Sequence, residues 1–454
     1  MNNTILAIDI SSTKITSIVA STDTNDKINI LGVGNVTSKG VQKGNIIDIN
    51  QAGISIKESV NLAVSSAGMI DPQIIVSVSG ANSKTLRSTG SVNVPSGQIT
   101  QNEIKQVLNM ALYNAQVIPE YDVLHVIPIS FRVDDGSNIT NPLNMNGNRL
   151  EVWVNVITVK KTSLTNIKNS LKIANLEVDK FVLSGYANAI ATLEDDQKKL
   201  GTAVIDLGAT TTQIVVYKGS TIIYNSFLPI GSENITRDLS IMLHTPYSAA
   251  NMVKNKYGTL LPIDEDETTI KKIKLPILGN ETETKEIALE QIQPILHARI
   301  EEIFVLVRDK LYESSVIDSI DGGIILTGGM TQTTGVKELA SEVFLNIPIK
   351  IATPKNIENG YIDFQLPTMS TIVGMLMYGL EDDNSFELDS TGNLRIKKPI
   401  QIKENLSAND HSVANNTTEN MIQKSQTTLA DINIEDELQK PQKSSFFSKI
   451  LGWL

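Results

Sequence analysis

The sequence predicts an α/β protein of two related lobes, with a small α+β insert in the first lobe, a disordered linker and a terminal amphipathic helix. Three observations carry that prediction. Apolar, β-branched runs alternate with helical repeats along the first 380 residues. One strand–turn–strand motif occurs twice, as Ile8-Asp9-Ile10-Ser11-Ser12-Thr13 and far downstream as Ile205-Asp206-Leu207-Gly208-Ala209-Thr210. After Leu380 the composition collapses into polar and charged residues, until an apolar stripe returns in the last residues.

The elements follow in order. Stretches 5–10, 14–21 and 28–36 are rich in Ile and Val, separated by Ser/Thr, Asp/Asn or Gly, and predict three strands. Ile56, Val60, Ala63, Val64 and Ala67 recur at helical spacing, and an apolar strand follows at 74–78. From about Asn82 the pattern changes. Thr100 and Glu103 have the spacing of a capping box, opening a helix with Ile104, Val107, Leu108, Ala111, Leu112 and Ala115 on one face. Longer strands near 123–133 and 150–159 flank a Gly/Asn/Pro-rich loop. That unit, 83–161, is the predicted insert. A helix from Leu164 leads to the second motif, whose β-rich return lies at 214–217. A third punctuated strand runs through Ile324, Ile325 and Leu326 into Thr327-Gly328-Gly329. The predicted boundaries are 1–82 with 162–200 for the first lobe's core and 201–230 with 311–380 for the second. An upper subdomain of the second lobe takes 231–310, the linker 381–440 and the helix 441–454.

The linker is rich in Asn, Gln, Ser and Thr, with Phe386 its only aromatic, so it buries too little apolar surface to offset its chain entropy. Beyond it, Phe446, Phe447, Ile450, Leu451 and Leu454 fall at i, i+1, i+4, i+5 and i+8, with Trp453 beside them and Lys443 and Lys449 flanking. Such a stripe is too short to span a bilayer and suits the membrane interface. Docking onto a partner is the other reading.

Composition excludes several classes. The 454 residues amount to about three domain-sized units. Acidic residues outnumber basic ones, 50 to 39, which argues against a general nucleic-acid binder. There is no cysteine, so disulfides, thiol nucleophiles and Cys-ligated metals are excluded. His125, His244, His297 and His411 are too scattered for a metal cluster, and His125 reads as structural. No basic residue precedes the first apolar run, Asp9 interrupts it early, and no stretch reaches about 18 apolar residues, which predicts a soluble cytoplasmic protein.

The paired motifs are the candidates for chemistry. Small residues let main-chain N–H groups approach a phosphate chain, and hydroxyls of Ser11, Ser12, Thr13, Thr210 and Thr211 can add donors. Asp9 and Asp206, at strand ends, can hold a hydrated Mg²⁺. Two such turns facing each other would clamp a triphosphate, whereas either alone is equally an ordinary tight hairpin. Gly328-Gly329 permits close approach of a ring or phosphate. Asn251 and Lys254, on a helix beginning near Tyr247, can reach ribose hydroxyls, or simply form a solvated helix face.

Together these residues resemble the FtsA family of bacterial cell-division proteins, within the actin, Hsp70 and sugar-kinase superfamily. Residues 9–14 are similar to its phosphate-1 hairpin, 206–213 to phosphate-2 and 326–330 to its adenosine motif. More specific are Val123-Leu124-His125-Val126-Ile127-Pro128, Lys39-Gly40-Val41, Lys43-Gly44-Asn45-Ile46 and the amphipathic end. The resemblance implies a two-lobed actin-like fold. It implies ATP and Mg²⁺ bound by Asp9, Ser11, Ser12, Thr13, Lys14, Asp206, Gly208, Ala209, Thr210, Thr211, Gly231, Asn251, Lys254, Gly328 and Gly329, with Asp9 and Asp206 reaching the metal through water. It also implies self-polymerisation, contacts of the insert with later division proteins, and an FtsZ C-terminal peptide received at Arg299. Finally, it implies a peripheral anchor on anionic lipid at the cytoplasmic face of the inner membrane at the division site. Ser11, Ala209-Thr210, Gln213 and Asn251 depart from the family's usual residues. Ser184 stands where hydrolysing relatives carry a water-positioning Glu, which implies at most slow hydrolysis. Alternatives are an ATP-dependent kinase or ATPase of the same superfamily, or a pilus-assembly relative.

Overall fold

The two motifs seed two sheets of one plan. In the first, Thr4–Ile10 and Lys14–Thr22 form an antiparallel hairpin extended by Ile28–Thr37 on one side. Gln73–Val78 and Lys180–Leu183 add in parallel on the other side. In the second, Thr202–Leu207 and Thr212–Lys218 pair antiparallel, Thr221–Leu228 extends the hairpin, and Ile324–Thr327 and Ile349–Ile351 add in parallel. Asp9 pairs with Thr16 and Asp206 with Gln213, so the two aspartates hold equivalent register positions. The central strands are covered on both faces, and for this reason Ile5 to Ile8 and Ala203 to Ile205 are continuous apolar runs rather than alternating ones. The computed structural model describes residues 4–22, 27–68, 71–219, 221–261, 272–355, 357, 364–380 and 386–395, all within one compact unit, 1–399.

Two helices, Ser184–Thr192 and Ser370–Leu380, lie between the sheets and pack on each other. Their crossing is tight: a Cβ on Gly374 would sit 1.8 Å from the carbonyl oxygen of Ala187. One continuous core therefore contains Ile8 and Ile18 from the first sheet and Val204, Val215 and Ile325 from the second. The second lobe's upper part is built from helices Ser232–Met242, Tyr247–Tyr257 and Gln293–Glu313 with the hairpin Lys272–Ile277 and Asn280–Ala288.

The insert is a sheet in which Tyr121–Val133 and Arg149–Lys160 are joined by Ser83–Asn93, a strand absent from the expected elements. Its polar sequence explains the omission: only Gly90 is buried along it, because one face is open. Helix Gln101–Asn114 covers the other face, and its capping box is formed, with the Thr100 N–H donating to Glu103 Oε2 at 2.9 Å.

The expected linker start at 381 is corrected by the structure. Residues 386–395 form strands Glu387–Leu388 and Leu394–Arg395 on the insert's edge, with Leu388 opposite Val126. Phe386 and Leu388 join the insert's core. Glu387 is completely buried and its carboxylate is surrounded. It lies 2.7 Å from His125 Nδ1 and accepts from the Tyr378 hydroxyl at 2.8 Å, from Tyr186 at 3.1 Å and from Arg395 at 3.1 Å. His125 Nε2 accepts the Leu183 N–H, which places the imidazole proton on Nδ1, facing Glu387. Burial pushes the Glu387 pKa up, but Arg395, His125 and the Tyr378 hydroxyl outweigh it and hold the carboxyl at about 2. Composition averaged over sixty residues hides so short a segment. The rest of the expected linker and the stripe from Phe446 to Leu454 lie outside the described residues.

Candidate functional site

Both hairpin turns open onto one cleft between the lobes, of about 180 Å³. Asp9, Ser11, Ser12, Thr13 and Lys14 line it from one side, and Asp206, Gly208, Ala209, Thr210 and Thr211 from the other, with Gly328 and Gly329 at its edge. A neighbouring cavity of about 280 Å³ shares Gly44 and Ser79 with the cleft; Lys160 and Asn166 line it and neither aspartate does.

The turns are self-bonded as well as open. Ser11 donates its hydroxyl to the Lys14 carbonyl at 2.8 Å, so that group closes the hairpin instead of serving a ligand. Ser12 Oγ accepts the Gly44 N–H at 3.3 Å, which presses the loop after Lys39 onto the turn. On the second side, the N–H groups of Ser232 and Glu233 donate to the Gly208 and Ala209 carbonyls at 3.1 and 2.7 Å. The start of helix Ser232–Met242 thus caps the hairpin. Gly231 is required by that contact, since a Cβ there would lie 2.6 Å from both carbonyl oxygens. Gly328 has φ +90°, and a Cβ on it would fall 2.3 Å from Asp206 Oδ1; the glycine lets the adenosine-like turn touch the aspartate.

Electrostatically the cleft is unfinished. Asp9 and Asp206 are both half-buried, and desolvation raises both pKa values, against a lowering pull of Ser77 and Lys14 on Asp9; that of Asp206 reaches about 6, with the Asp9 charge adding to the rise. Asp206 Oδ2 accepts from Asn188 Nδ2 at 3.0 Å, and Asn188 is in turn held by the Thr371 hydroxyl at 2.9 Å. Thr210 Oγ1 is buried without a hydrogen-bond partner among the described residues. Two desolvated carboxylates and an orphan hydroxyl fit a hydrated divalent cation beside phosphate oxygens.

Other expected residues bond within the protein. Lys254 Nζ donates to the Ser232 carbonyl at 3.3 Å, and burial lowers its pKa. Asn251 Oδ1 takes the Thr236 hydroxyl at 3.5 Å. Both stand behind Ser232, which itself lines the cleft. Arg299 is not a free cation: its Nε donates to Asp238 Oδ2 at 2.6 Å and its guanidinium also pairs with Glu302. Ser184, at the position of the absent Glu, gives its hydroxyl to the Val78 carbonyl at 3.0 Å. Sequence reasoning missed Asn188 and Thr371. Asn188, a 1% exposed amide in the otherwise apolar Ser184–Thr192, was the available signal.

Comparisons with known proteins agree with this architecture. A family profile described as "Cell division protein FtsA" matches residues 203–374, and one described as "SHS2 domain inserted in FTSA" matches 80–158. The cell division protein FtsA of Helicobacter pylori (strain J99) is 32% identical over 419 residues, covering 86% of this chain and 85% of that one. Among solved structures, a PilM–PilN type IV pilus biogenesis complex aligns with TM-score 0.57 at 14% identity, over 83% of this chain and 98% of the other. MreB5 of Spiroplasma citri bound to AMPPNP aligns with TM-score 0.50 at 12% identity, over 83% and 96%. At such identities the structural likenesses speak for the fold alone, and the pilus relative gains nothing beyond it. The sequence matches go further, and the chain belongs to the FtsA family of cell division proteins, built on a two-lobed actin-like fold.

Proposed function

We propose that the cleft binds a nucleoside triphosphate with Mg²⁺ and that the chain is a cell-division adaptor, joining FtsZ filaments to the membrane. The observation that carries the nucleotide reading is the pair of half-buried aspartates at equivalent register positions on two turns that share one cleft. Asp9 and Asp206 would order the cation through water, adding its positive charge to that of Lys14; the main chain of the two turns and the Thr210 hydroxyl would meet phosphate oxygens. AMPPNP in the Spiroplasma citri MreB5 structure supports the same reading. Hydrolysis is slow on this view. Among the described residues lining the cleft the only carboxylates are the two aspartates, and Ser184 is committed to Val78.

The adaptor reading assigns self-association and contacts with later division proteins to the insert, 83–161. It assigns the FtsZ C-terminal peptide to the surface around Arg299, and the membrane contact to the stripe from Phe446 to Leu454. Lys443 and Lys449 would favour anionic lipid by roughly 1 kcal/mol each. Co-sedimentation of the full chain with anionic vesicles tests the anchor: Trp453→Glu should release the protein while leaving Mg-ATP binding unchanged. Retention of that variant on vesicles would replace the anchor with a docked partner helix.

A further inference from the structure

Nothing above gives Gln213 a role. It is the cross-strand partner of Asp206, so the two side chains leave the hairpin on the same face, and both line the cleft. Its Oε1 accepts the backbone N–H of Gly80 at 3.3 Å. That bond also settles the amide's orientation, because only the oxygen can accept. Its amino nitrogen has no hydrogen-bond partner among the described residues.

Gly80 lies between Gln73–Val78 and Ser83–Asn93, the root of the insert. Ser83 Oγ bonds the Gly80 carbonyl at 2.7 Å and Asn225 Oδ1 at 2.9 Å, and Asn225 Nδ2 bonds Thr85 at 3.0 Å. Deeper in the insert, Asn155 Nδ2 donates to the Ile222 carbonyl at 2.7 Å. Every one of these side-chain links to Asn225 or Ile222 joins the insert to the strand Thr221–Leu228 of the opposite lobe. Gln213 is the member of this seam that also faces the cleft.

We infer that Gln213 is a terminal-phosphate sensor: its amino group donates to the last phosphate of a nucleoside triphosphate, and its carbonyl passes the resulting order to the insert through Gly80. The inference rests on the nucleotide reading of the cleft. A diphosphate leaves the amino group without its anionic acceptor, and the amide is then held by Gly80 alone. The insert root is therefore firmer with triphosphate than with diphosphate, which gives the surface proposed for self-association a means of distinguishing the two.

The test measures AMPPNP and ADP affinities, each with Mg²⁺, for the full-length wild type, Gln213→Met and Gln213→Glu, alongside amide exchange across 80–93 in both nucleotide states. Gln213→Met removes donor and acceptor at similar volume. Gln213→Glu keeps an acceptor for Gly80 and removes the donor. Both should lower the AMPPNP-over-ADP preference at least fivefold with ADP affinity within twofold. The exchange difference between the two states should vanish in both, with Gly80 itself still protected in Gln213→Glu. A preference unchanged within twofold in a folded variant, or wild-type exchange that is identical in the two states, overturns the sensor. Failure of the wild type to bind either nucleotide overturns the cleft reading itself, and the sensor with it.

Discussion

Carboxylates at two places in the molecule meet opposite surroundings. At the junction of insert and first lobe, Glu387 is met by Arg395, His125, Tyr186 and Tyr378, and its pKa is held at about 2. In the cleft, Asp206 has one amide donor and a neighbouring aspartate, and its pKa stands at about 6. The chemistry of the group is the same; the difference is whether the protein itself answers the charge. Where it does, the carboxylate is a rivet. Where it does not, a cation brought from outside would answer it.

The largest effect that sharpens this contrast is on stability. Glu387→Ala removes the buried carboxylate that Arg395 pairs with and to which the Tyr186 and Tyr378 hydroxyls donate. Unfolding by denaturant should show a loss of about 3–5 kcal/mol. Asp206→Ala removes a charge the fold does not answer, and should change stability by no more than about 1 kcal/mol.

Acid gives the next test. The folded pKa of Glu387 is depressed below its ordinary 4.5, so its contribution is fully present above about pH 4.5 and is lost as pH falls towards 2. Over that window the wild type should lose on the order of 3 kcal/mol that Glu387→Gln does not lose. Parallel acid-unfolding curves for the two proteins would show that the rivet carries no charge.

A smaller effect concerns Arg299, an ion pair on the surface of the second lobe. Because it bonds Asp238 across two helices as well as Glu302 on its own, Arg299→Glu should cost about 1–2 kcal/mol of stability. If FtsZ-peptide binding falls in Arg299→Glu by no more than in Asp238→Ala, the arginine positions its helices and does not touch the peptide.

Local patterns made both hairpins legible, since Asp at a strand end, small turn residues and a β-branched return each have a local physical cause. The capping box at Thr100 was legible for the same reason. Three features were not. Ser83–Asn93 is a strand by pairing, with too little apolar surface to announce itself. The strands at 387–395 are specified by a buried hydrogen bond across 262 residues, between His125 and Glu387, which no window of composition registers. Arg299 had the right chemistry for an acidic partner, but its nearest carboxylates proved to be the protein's own.

The proposed nucleotide site rests above all on the two cleft aspartates. Its most direct test is calorimetric titration of Mg-ATP into wild type and Asp206→Ala. Binding should be at least tenfold weaker in the variant, a difference of about 1.4 kcal/mol or more, with the melting transition of the free protein nearly unmoved. Equal affinity in the two proteins would contradict it.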